Sequence, residues 1–185
     1  MVNMVTPFSA LPEPLFPLVP SPDDARAALA LSLLDGVADP EIPVVSVREL
    51  GIIRAVRVEG ARVEVDVTPT YSGCPATEVI AADIRAALVA GGFADVTVRT
   101  VLSPPWTTDA ITEAGRAKLK AYGIAPPGTV PAGAPRPVRF AQRQVACPQC
   151  GSKDTERLAE FGSTACKALF RCRPCREPFD YFKPL

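Results

Sequence analysis

Residues 21–122 contain six stretches in which the apolar positions follow either a helical or an extended period. A helix is predicted over 22–34, because Ser21 can cap it and a proline suits its first position. Strands are predicted over 52–59 and 62–67, and the second alternates as R-V-E-V-D-V, which is typical of a strand with one face in water. The turn sequence E-G-A-R between them indicates a hairpin.

Three further elements complete this predicted domain. A helix is expected over 75–90, where apolar residues recur on one face, and it is followed by a strand over 94–102 and a helix over 108–122. The order α-β-β-α-β-α predicts the α+β class, with helices packed on a small mixed sheet. Trp106 follows two prolines and is expected to pack onto the core; the alternative is an exposed anchor for a partner protein.

The composition changes on both sides of this domain. Residues 1–20 are interrupted by prolines and are expected to form a disordered or extended tail. Residues 123–137 are rich in proline, glycine and alanine, which predicts a linker. Five of the six cysteines lie in residues 138–185, which we expect to be a separate C-terminal domain.

The cysteines of this C-terminal domain form two C-x-x-C pairs, which are separated by residues 151–171. Each pair can direct two thiolates towards one centre, so two pairs can complete a tetrahedral site. The spacing predicts a zinc ribbon, because a segment of this size is too small to fold around a hydrophobic core alone. A tetrathiolate iron or iron–sulfur site and unliganded thiols are alternatives with the same spacing. The predicted ligands are Cys147, Cys150, Cys172 and Cys175.

Two further features accompany these pairs. Cys166 is expected to be a small buried residue, and a substitute metal ligand is the alternative. Four basic residues nearby are expected to form a solvated face beside a negatively charged metal–thiolate site, with nucleic-acid binding as the alternative. These residues are Lys167, Arg171, Arg173 and Arg176.

Cys74 lies apart from the other cysteines, at the junction of a predicted strand and a predicted helix in T-P-T-Y-S-G-C-P, residues 68–75. If that helix begins at Pro75, Cys74 is its N-cap, where unpaired N–H groups and the helix dipole favour the thiolate. Gly73 would allow a sharp turn beside it. This position indicates a soft-metal ligand or a sulfur carrier, and a buried cysteine that packs the corner is the alternative. Hydroxyl groups nearby come from Thr68, Thr70, Tyr71 and Ser72.

The composition excludes several classes of function. The chain has no histidine, so neither a Ser–His–Asp triad nor a histidine-bound zinc can form. A formal net charge of +0 gives the whole chain no bias towards nucleic acid or membranes. The proline-broken N-terminus predicts neither a signal peptide nor a membrane span. The cytoplasm is therefore the expected location, where thiols are reduced or bind metal.

Three motifs together resemble the small domain shared by SufT and the cytosolic iron–sulfur assembly factors. They are D-P-E-I-P at 39–43, L-G-I-I at 50–53 and the cysteine motif at 68–75. The match covers about residues 24–105. The resemblance implies that the acidic loop, with Asp39 and Glu41, lies close to Cys74.

A larger part of the chain, residues 24–185, resembles the PaaD family, the D components of bacterial phenylacetyl-CoA epoxidase systems. The resemblance rests on W-T-T-D-A-I-T at 106–112, on the proline-rich linker and on F-G-S-T-A-C-K-A-L-F-R-C-R-P-C at 161–175. It implies an accessory role in a multicomponent oxygenase of aromatic compound catabolism, whose other subunits carry a di-iron centre and flavin and iron–sulfur reductase chemistry. The chain has neither Glu-x-x-His ligands nor a Gly-rich phosphate loop, so we do not expect it to catalyse the epoxidation.

The resemblance also implies that the chain helps to mature a partner subunit. Cys74 would hold iron or an iron–sulfur cluster transiently, with Asp39 and Glu41 as hard ligands or proton acceptors. The ribbon would dock on the oxygenase or the reductase, and neither nucleic acid nor a membrane is an expected partner. Because a single thiolate holds a cluster poorly, a homodimer or a partner complex is expected.

Two alternatives stay open. In the first, the chain is a structural adaptor of the oxygenase, and the thiol of Cys74 only packs the corner. In the second, Cys74 is the nucleophile of a thiol enzyme that is activated by the helix end alone, since no histidine is present.

Overall fold

The computed structural model describes residues 22–71, 73–128 and 144–184, so the predicted tail, Ser21 and residues 129–137 lie outside the described part. The helices are α1 (Pro22–Leu34), α2 (Thr77–Ala90) and α3 (Glu113–Ala121). The strands are β1 (Ile53–Glu59), β2 (Arg62–Val67), β3 (Asp95–Thr100), β4 (Ile124–Ala125), β5 (Thr155–Ala159), β6 (Lys167–Cys172) and β7 (Pro178–Phe182).

The first three strands form the sheet of the N-terminal domain, in the order β1-β2-β3. β1 and β2 pair antiparallel, which confirms the hairpin, and β3 pairs parallel to β2 after the crossover through α2. The valines of β2 are buried and its charged residues are not, as the alternation predicted. The sheet is therefore mixed, and the predicted α+β class is confirmed.

The three helices of this domain supply much of the rest of its core, and α3 contributes the fully buried Leu119. Leu34 of α1 is fully buried, and α2 buries Ile80, Ile84 and Leu88 at helical spacing. None of the helices in the described ranges is long and apolar enough to cross a membrane.

Two of the predicted helices begin later than expected. α2 begins at Thr77 rather than Pro75, because the chain first makes a turn in which the amide of Cys74 donates to the carbonyl of Tyr71. In the predicted helix 108–122, residues 108–110 form only a short 3-10 turn. The helix proper starts after Thr112, whose hydroxyl accepts from the amide of Gly115 at 3.0 Å and caps it.

The C-terminal strands form a second sheet, in the order β4-β7-β6-β5. β5, β6 and β7 pair antiparallel, as a ribbon built from two turns requires. β4 pairs parallel to β7, although it belongs to the chain segment that leaves α3. The prediction of a linker over 123–137 is wrong at its start, since Ile124–Ala125 is an edge strand of the ribbon sheet.

The two sheets also share a hydrophobic core. Phe182 and Cys166, from the ribbon, and Ile124 are buried in the same cluster as the side chains of the N-terminal domain. Trp106 is only 4% exposed, its indole N–H donates to the carbonyl of Leu50 at 2.9 Å, and its ring centre lies 6.0 Å from that of Phe182. The prediction that Trp106 packs onto the core is confirmed, and its role extends to joining the domains.

A close backbone contact holds the segment after Leu50 against the loop before α3. Gly51 has a φ of +68°, and a Cβ atom there would lie 2.3 Å from the carbonyl oxygen of Ala110. Only glycine meets both conditions, because the left-handed conformation and the short contact each disfavour a side chain. Gly60, in the β1–β2 turn, has a similar φ of +56°, with nothing within 4 Å of the same position.

The pair of glycines gives a matched test of this contact. We expect Gly60→Ala to cost about 1 kcal/mol, from the left-handed conformation alone. Gly51→Ala should cost about 1–3 kcal/mol more, because the added methyl group also forces Ala110 away. Denaturant unfolding of both metal-loaded variants measures the difference. Equal losses of unfolding free energy would contradict the close packing of Gly51.

Candidate functional site

The four cysteines of the two C-x-x-C pairs come together at one end of the ribbon. Their sulfur atoms all lie within 4.8 Å of one another, with 3.7 Å between Cys147 and Cys175 and 3.5 Å between Cys150 and Cys172. Within the described ranges, this is the only group of three or more potential metal-ligating side chains that meets this distance. The predicted spacing therefore brings together the predicted ligands.

The two cysteine turns have the same backbone geometry. In each, the amide of the first cysteine donates to the carbonyl five residues further on, at 2.9 Å in both turns. The residue after the second cysteine has a positive φ in each, 74° at Gly151 and 66° at Arg176. This turn curls the chain around the sulfurs, so that both pairs point at a common centre.

The arrangement fits a tetrahedral metal ion. Zinc bound to four thiolates at about 2.3 Å would separate the sulfurs by about 3.8 Å. The measured separations of 3.7 and 3.5 Å are close to this value. Cys147 and Cys172 are buried, whereas Cys150 and Cys175 are exposed, so the centre would lie at the surface of the ribbon.

The four thiols affect one another's protonation, because their sulfurs share hydrogen bonds. The amide of Ser152 lowers the pKa of the Cys150 thiol to about 7. The amide of Cys175 acts to lower the pKa of the Cys172 thiol, but burial and hydrogen bonds with the other sulfurs raise it to about 12. A bound cation would replace the protons that these sulfurs otherwise share.

The basic residues of the ribbon are largely paired with carboxylates. Arg171 and Arg173 both form ion pairs with Glu156 on the exposed face, as a solvated surface predicts. Lys167 does not belong to that face: it is only 4% exposed, and its ammonium lies 3.6 Å from a carboxylate oxygen of Asp180. For Lys167 the prediction is wrong, because its side chain is buried beside Asp180 of the ribbon rather than exposed to solvent.

Cys74 lies in a second place, a small pocket at the carboxyl end of β2. The sulfur is half-buried, and the Cys74 carbonyl accepts a hydrogen bond from the Thr77 hydroxyl at 2.9 Å. The acidic loop reaches this pocket, since Asp39 and Cys74 are among the residues that line it. The other lining residues are Ile52, Val67, Pro69, Thr70, Thr77 and Ile80.

Cys74 is not the N-cap of α2, so the helix-end argument for a thiolate does not apply to it. Burial raises the pKa of its thiol, and the charges of Glu41 and Asp39 raise it further. The amide of Ala76 acts in the opposite direction but does not outweigh them. Because α2 begins later than predicted, Ala76 is the N-cap and Cys74 precedes it by two residues.

The two carboxylates of the acidic loop have different environments. Asp39 is buried, and one of its oxygens accepts the amides of Glu41 and Ile42, each at 2.9 Å. These two hydrogen bonds hold the acidic loop in shape. Burial raises the pKa of Asp39 despite them. The carboxylate of Glu41 is half-buried and makes no hydrogen bond or ion pair with another described residue.

The hydroxyl groups that the sequence placed near Cys74 have different surroundings in the structure. Thr70 lines the pocket, whereas the hydroxyl of Thr68 donates to the carbonyl of Val101 at 2.8 Å and holds the end of the sheet. Burial raises the pKa of the Tyr71 phenol, and the charges of Cys74, Glu41 and Cys166 add to this. Ser72 lies outside the described residues.

Gly73 does not have the role that the sequence suggested. It is not among the glycines with a positive φ, and an added Cβ atom would meet only the ring of Tyr71, at 3.6 Å. The turn at Cys74 therefore does not depend on glycine for its backbone conformation.

Cys166 is the residue whose position the sequence did not indicate. It is only 6% exposed, as expected for a small buried residue, but it lies in the core cluster of the N-terminal domain rather than in that of the ribbon. It is not part of the four-cysteine group. No periodic pattern could have shown this, because the contact is made between two domains that are far apart in the sequence.

Comparisons with known families agree with both parts of the structure. Residues 27–100 match the model of an iron–sulfur cluster assembly protein, and residues 132–183 match the PaaD zinc beta ribbon domain. The fold of the N-terminal domain is that of a domain of unknown function from Bacillus anthracis, with a TM-score of 0.50, 24% identity, and coverage of 52% of this chain and 93% of that one. A conserved hypothetical protein from Thermotoga maritima is 27% identical over 55% of this chain and 94% of its own, with a TM-score of 0.43.

A curated relative covers both domains together. It is a protein of Escherichia coli (strain K12) that is named as the D component of 1,2-phenylacetyl-CoA epoxidase. The two sequences are 49% identical over 152 residues, which cover 82% of this chain and 89% of the relative. Because the match spans the iron–sulfur assembly domain and the four-cysteine ribbon alike, the chain belongs to the PaaD family, the D components of phenylacetyl-CoA epoxidase.

Proposed function

We propose that this chain is a maturation component of phenylacetyl-CoA epoxidase, which helps to insert iron or an iron–sulfur cluster into the oxygenase or the reductase subunit through Cys74. The observation that carries the proposal is the pocket in which Cys74 and Asp39 meet, with the charge of Glu41 acting on the same thiol. This pocket lies in the domain that matches an iron–sulfur cluster assembly model, within a chain of the PaaD family.

The environment of Cys74 suits a transient ligand. A thiol whose pKa is raised keeps its proton while the site is empty, so a metal has to displace that proton to bind. Glu41 supplies a carboxylate nearby that can accept the proton or bind the metal as a hard ligand. A half-buried sulfur can exchange its cargo more readily than a fully buried one.

The same environment disfavours a thiol enzyme. The nucleophile of such an enzyme is the thiolate, and its activation needs a neighbouring base or cation that lowers the pKa of the cysteine. Here burial and two carboxylates raise that pKa, and the chain has no histidine. We therefore propose that the chain does not itself catalyse the epoxidation, and that its chemistry is the handling of a metal.

The four-cysteine centre has a different role in this proposal. Its sulfurs match the spacing of a tetrahedral ion, and the ribbon around it has a core of only a few large side chains, so we propose a resident structural zinc ion. Thiolate sites of both kinds require a reducing compartment, which the cytoplasm provides.

Removal of single cysteines tests the zinc centre. The full chain should contain about one zinc ion, and Cys150→Ala should lose it and lower the free energy of unfolding by several kcal/mol, because a structural zinc site contributes directly to folding. Cys166→Ala is the control, since that thiol is outside the group. Metal analysis and denaturant unfolding measure both effects. Equal zinc loss in the two variants would place Cys166 among the ligands, and iron in place of zinc would exclude a resident zinc.

Substitution of Cys74 tests the delivery of metal. In cells that express the full epoxidase system, Cys74→Ser should lower the iron or cluster content of one purified partner subunit about ten-fold, because the soft ligand is lost. The control is Thr77→Ser in the same pocket, which keeps the hydroxyl that bonds the Cys74 carbonyl. Iron analysis and iron–sulfur absorbance of the oxygenase and the reductase, at matched levels of this chain, identify the recipient. Fully loaded partners would leave the structural adaptor as the function.

A further inference from the structure

We propose that the loop of residues 101–106 is the surface on which the subunit that receives the metal docks. Its apolar contacts are Leu102, Pro104 and Pro105, and Glu41 supplies a charged contact on the acidic loop. The matching surface of the recipient is apolar, with a basic residue at its edge. The inference rests on the proposed function, because the 101–106 loop flanks the same pocket.

The 101–106 loop lies beside the pocket of Cys74 because β2 and β3 are parallel. Their carboxyl ends lie at the same edge of the sheet, where Val67 pairs with Thr100. One residue further on, the amide of Val101 donates to the carbonyl of Val67 at 2.8 Å, and the hydroxyl of Thr68 donates to the carbonyl of Val101 at 2.8 Å. Val67 itself lines the pocket, so the loop begins at the pocket's edge. Segments that follow the carboxyl ends of adjacent parallel strands commonly form binding sites.

The loop is held at both ends and exposed between them. Val101 fixes its start to β2, and at its end the buried Trp106 donates to the carbonyl of Leu50 at 2.9 Å. The four residues between, 102–105, are all exposed, and two of them are prolines, which restrict the backbone further. A surface whose shape is fixed before binding loses little conformational entropy when a partner docks on it.

The exposed part of the loop is mainly apolar. Leu102 is 59% exposed, and neither it nor the two prolines belong to a hydrophobic core of the described residues. A single exposed leucine is ordinary on a protein surface. Here the leucine is followed closely by Pro104 and Pro105 on a rigid loop beside a pocket, which makes a continuous apolar surface of the kind that forms the centre of a protein–protein interface.

The acidic loop gives this surface its charge. Asp39 lines the pocket, and one of its carboxylate oxygens accepts the amide of Glu41 at 2.9 Å, so Glu41 also lies at the pocket. Its half-buried carboxylate makes no ion pair with another described residue. An unpaired carboxylate at a docking surface favours a basic residue on the partner and repels the phosphates of a nucleic acid. The charge therefore indicates a protein with a basic residue as the occupant.

Docking at this place suits the transfer of a metal. A recipient that contacts both the 101–106 loop and the acidic loop brings its own ligands to the half-buried sulfur of Cys74. Apolar contacts around the pocket exclude water from it, as the surrounding contacts of an interface do for its central residues. The metal then passes between two protein sites without entering solution.

A photo-crosslinking amino acid at position 102 tests where the recipient docks. In cells that express the full epoxidase system, p-benzoylphenylalanine at this position should crosslink the chain to the oxygenase or the reductase subunit. The matched control is position 89, because Val89 is 58% exposed and lies near the end of α2 that is remote from Thr77 and the pocket. Equal crosslinking from the two positions, or crosslinking of position 102 only to a second copy of this chain, would overturn the inference.

Two serine variants measure the apolar contribution. Leu102→Ser should weaken binding to the purified recipient about ten-fold or more, as loss of a central interface side chain does, whereas Val89→Ser should bind as the wild type does. Both side chains are exposed, so the zinc content and the unfolding free energy of both variants should stay close to those of the wild type. Equal affinities of the two variants for the recipient would contradict the docking surface.

The charge of Glu41 predicts a salt dependence. Binding of the wild-type chain to the recipient should weaken as salt is added, and Glu41→Gln should bind more weakly at low salt and respond less to salt. Tighter binding by Glu41→Gln would show that the recipient surface is acidic, which the inference excludes.

Cys74→Ser separates docking from transfer. This variant keeps the 101–106 loop and the acidic loop, so it should bind the recipient with wild-type affinity while failing to load it with metal. Normal loading by Cys74→Ser, together with weak binding by Leu102→Ser, would refute delivery through Cys74 and leave the docking surface standing. Weak binding by Cys74→Ser and normal binding by Leu102→Ser would refute the docking surface instead.

Discussion

The contact between Trp106 and Phe182 fixes how the two domains of this chain lie against each other. Trp106 is itself held by the hydrogen bond from its indole to the Leu50 carbonyl, and Phe182 ends the strand that pairs with β4. Both aromatic side chains are buried, and burial of large aromatic rings in contact with each other stabilises the packing of the two domains. The orientation of the ribbon, and with it the placement of Cys166 and Lys167, depends on this contact.

Two sulfur environments with opposite properties result from this arrangement. The four-cysteine centre has its sulfurs already at tetrahedral spacing, so a metal bound there adds to the stability of the fold. The pocket of Cys74 is small, and burial and the carboxylates raise the pKa of its thiol, so in the proposed function a metal has to displace a proton to bind there. We propose that one chain thereby combines a resident metal site with a transfer site.

Much of the fold could be predicted from local patterns, because the strands of the hairpin and the cysteine turns are each specified by residues close in sequence. The bounds of β2 and of α1 follow from alternation and capping, and the grouping of the four ribbon cysteines follows from their spacing. The start of α2 could not be predicted, because the turn at Tyr71–Cys74 competes with helix formation and its outcome depends on tertiary packing. The protonation of Cys74, the strand at Ile124 and the position of Cys166 depend on contacts between segments far apart in the chain.

The most direct test of the account is the transfer of iron between purified proteins. The full chain, loaded with ferrous iron under anaerobic conditions, would be mixed with an iron-free oxygenase or reductase in the presence of excess chelator. The account predicts that the recipient gains iron from the wild-type chain but not from Cys74→Ser, because the metal passes between bound sites without entering solution. If the chelator takes all the iron from the wild-type chain, with neither recipient loaded, the chain is not a carrier and the account is wrong.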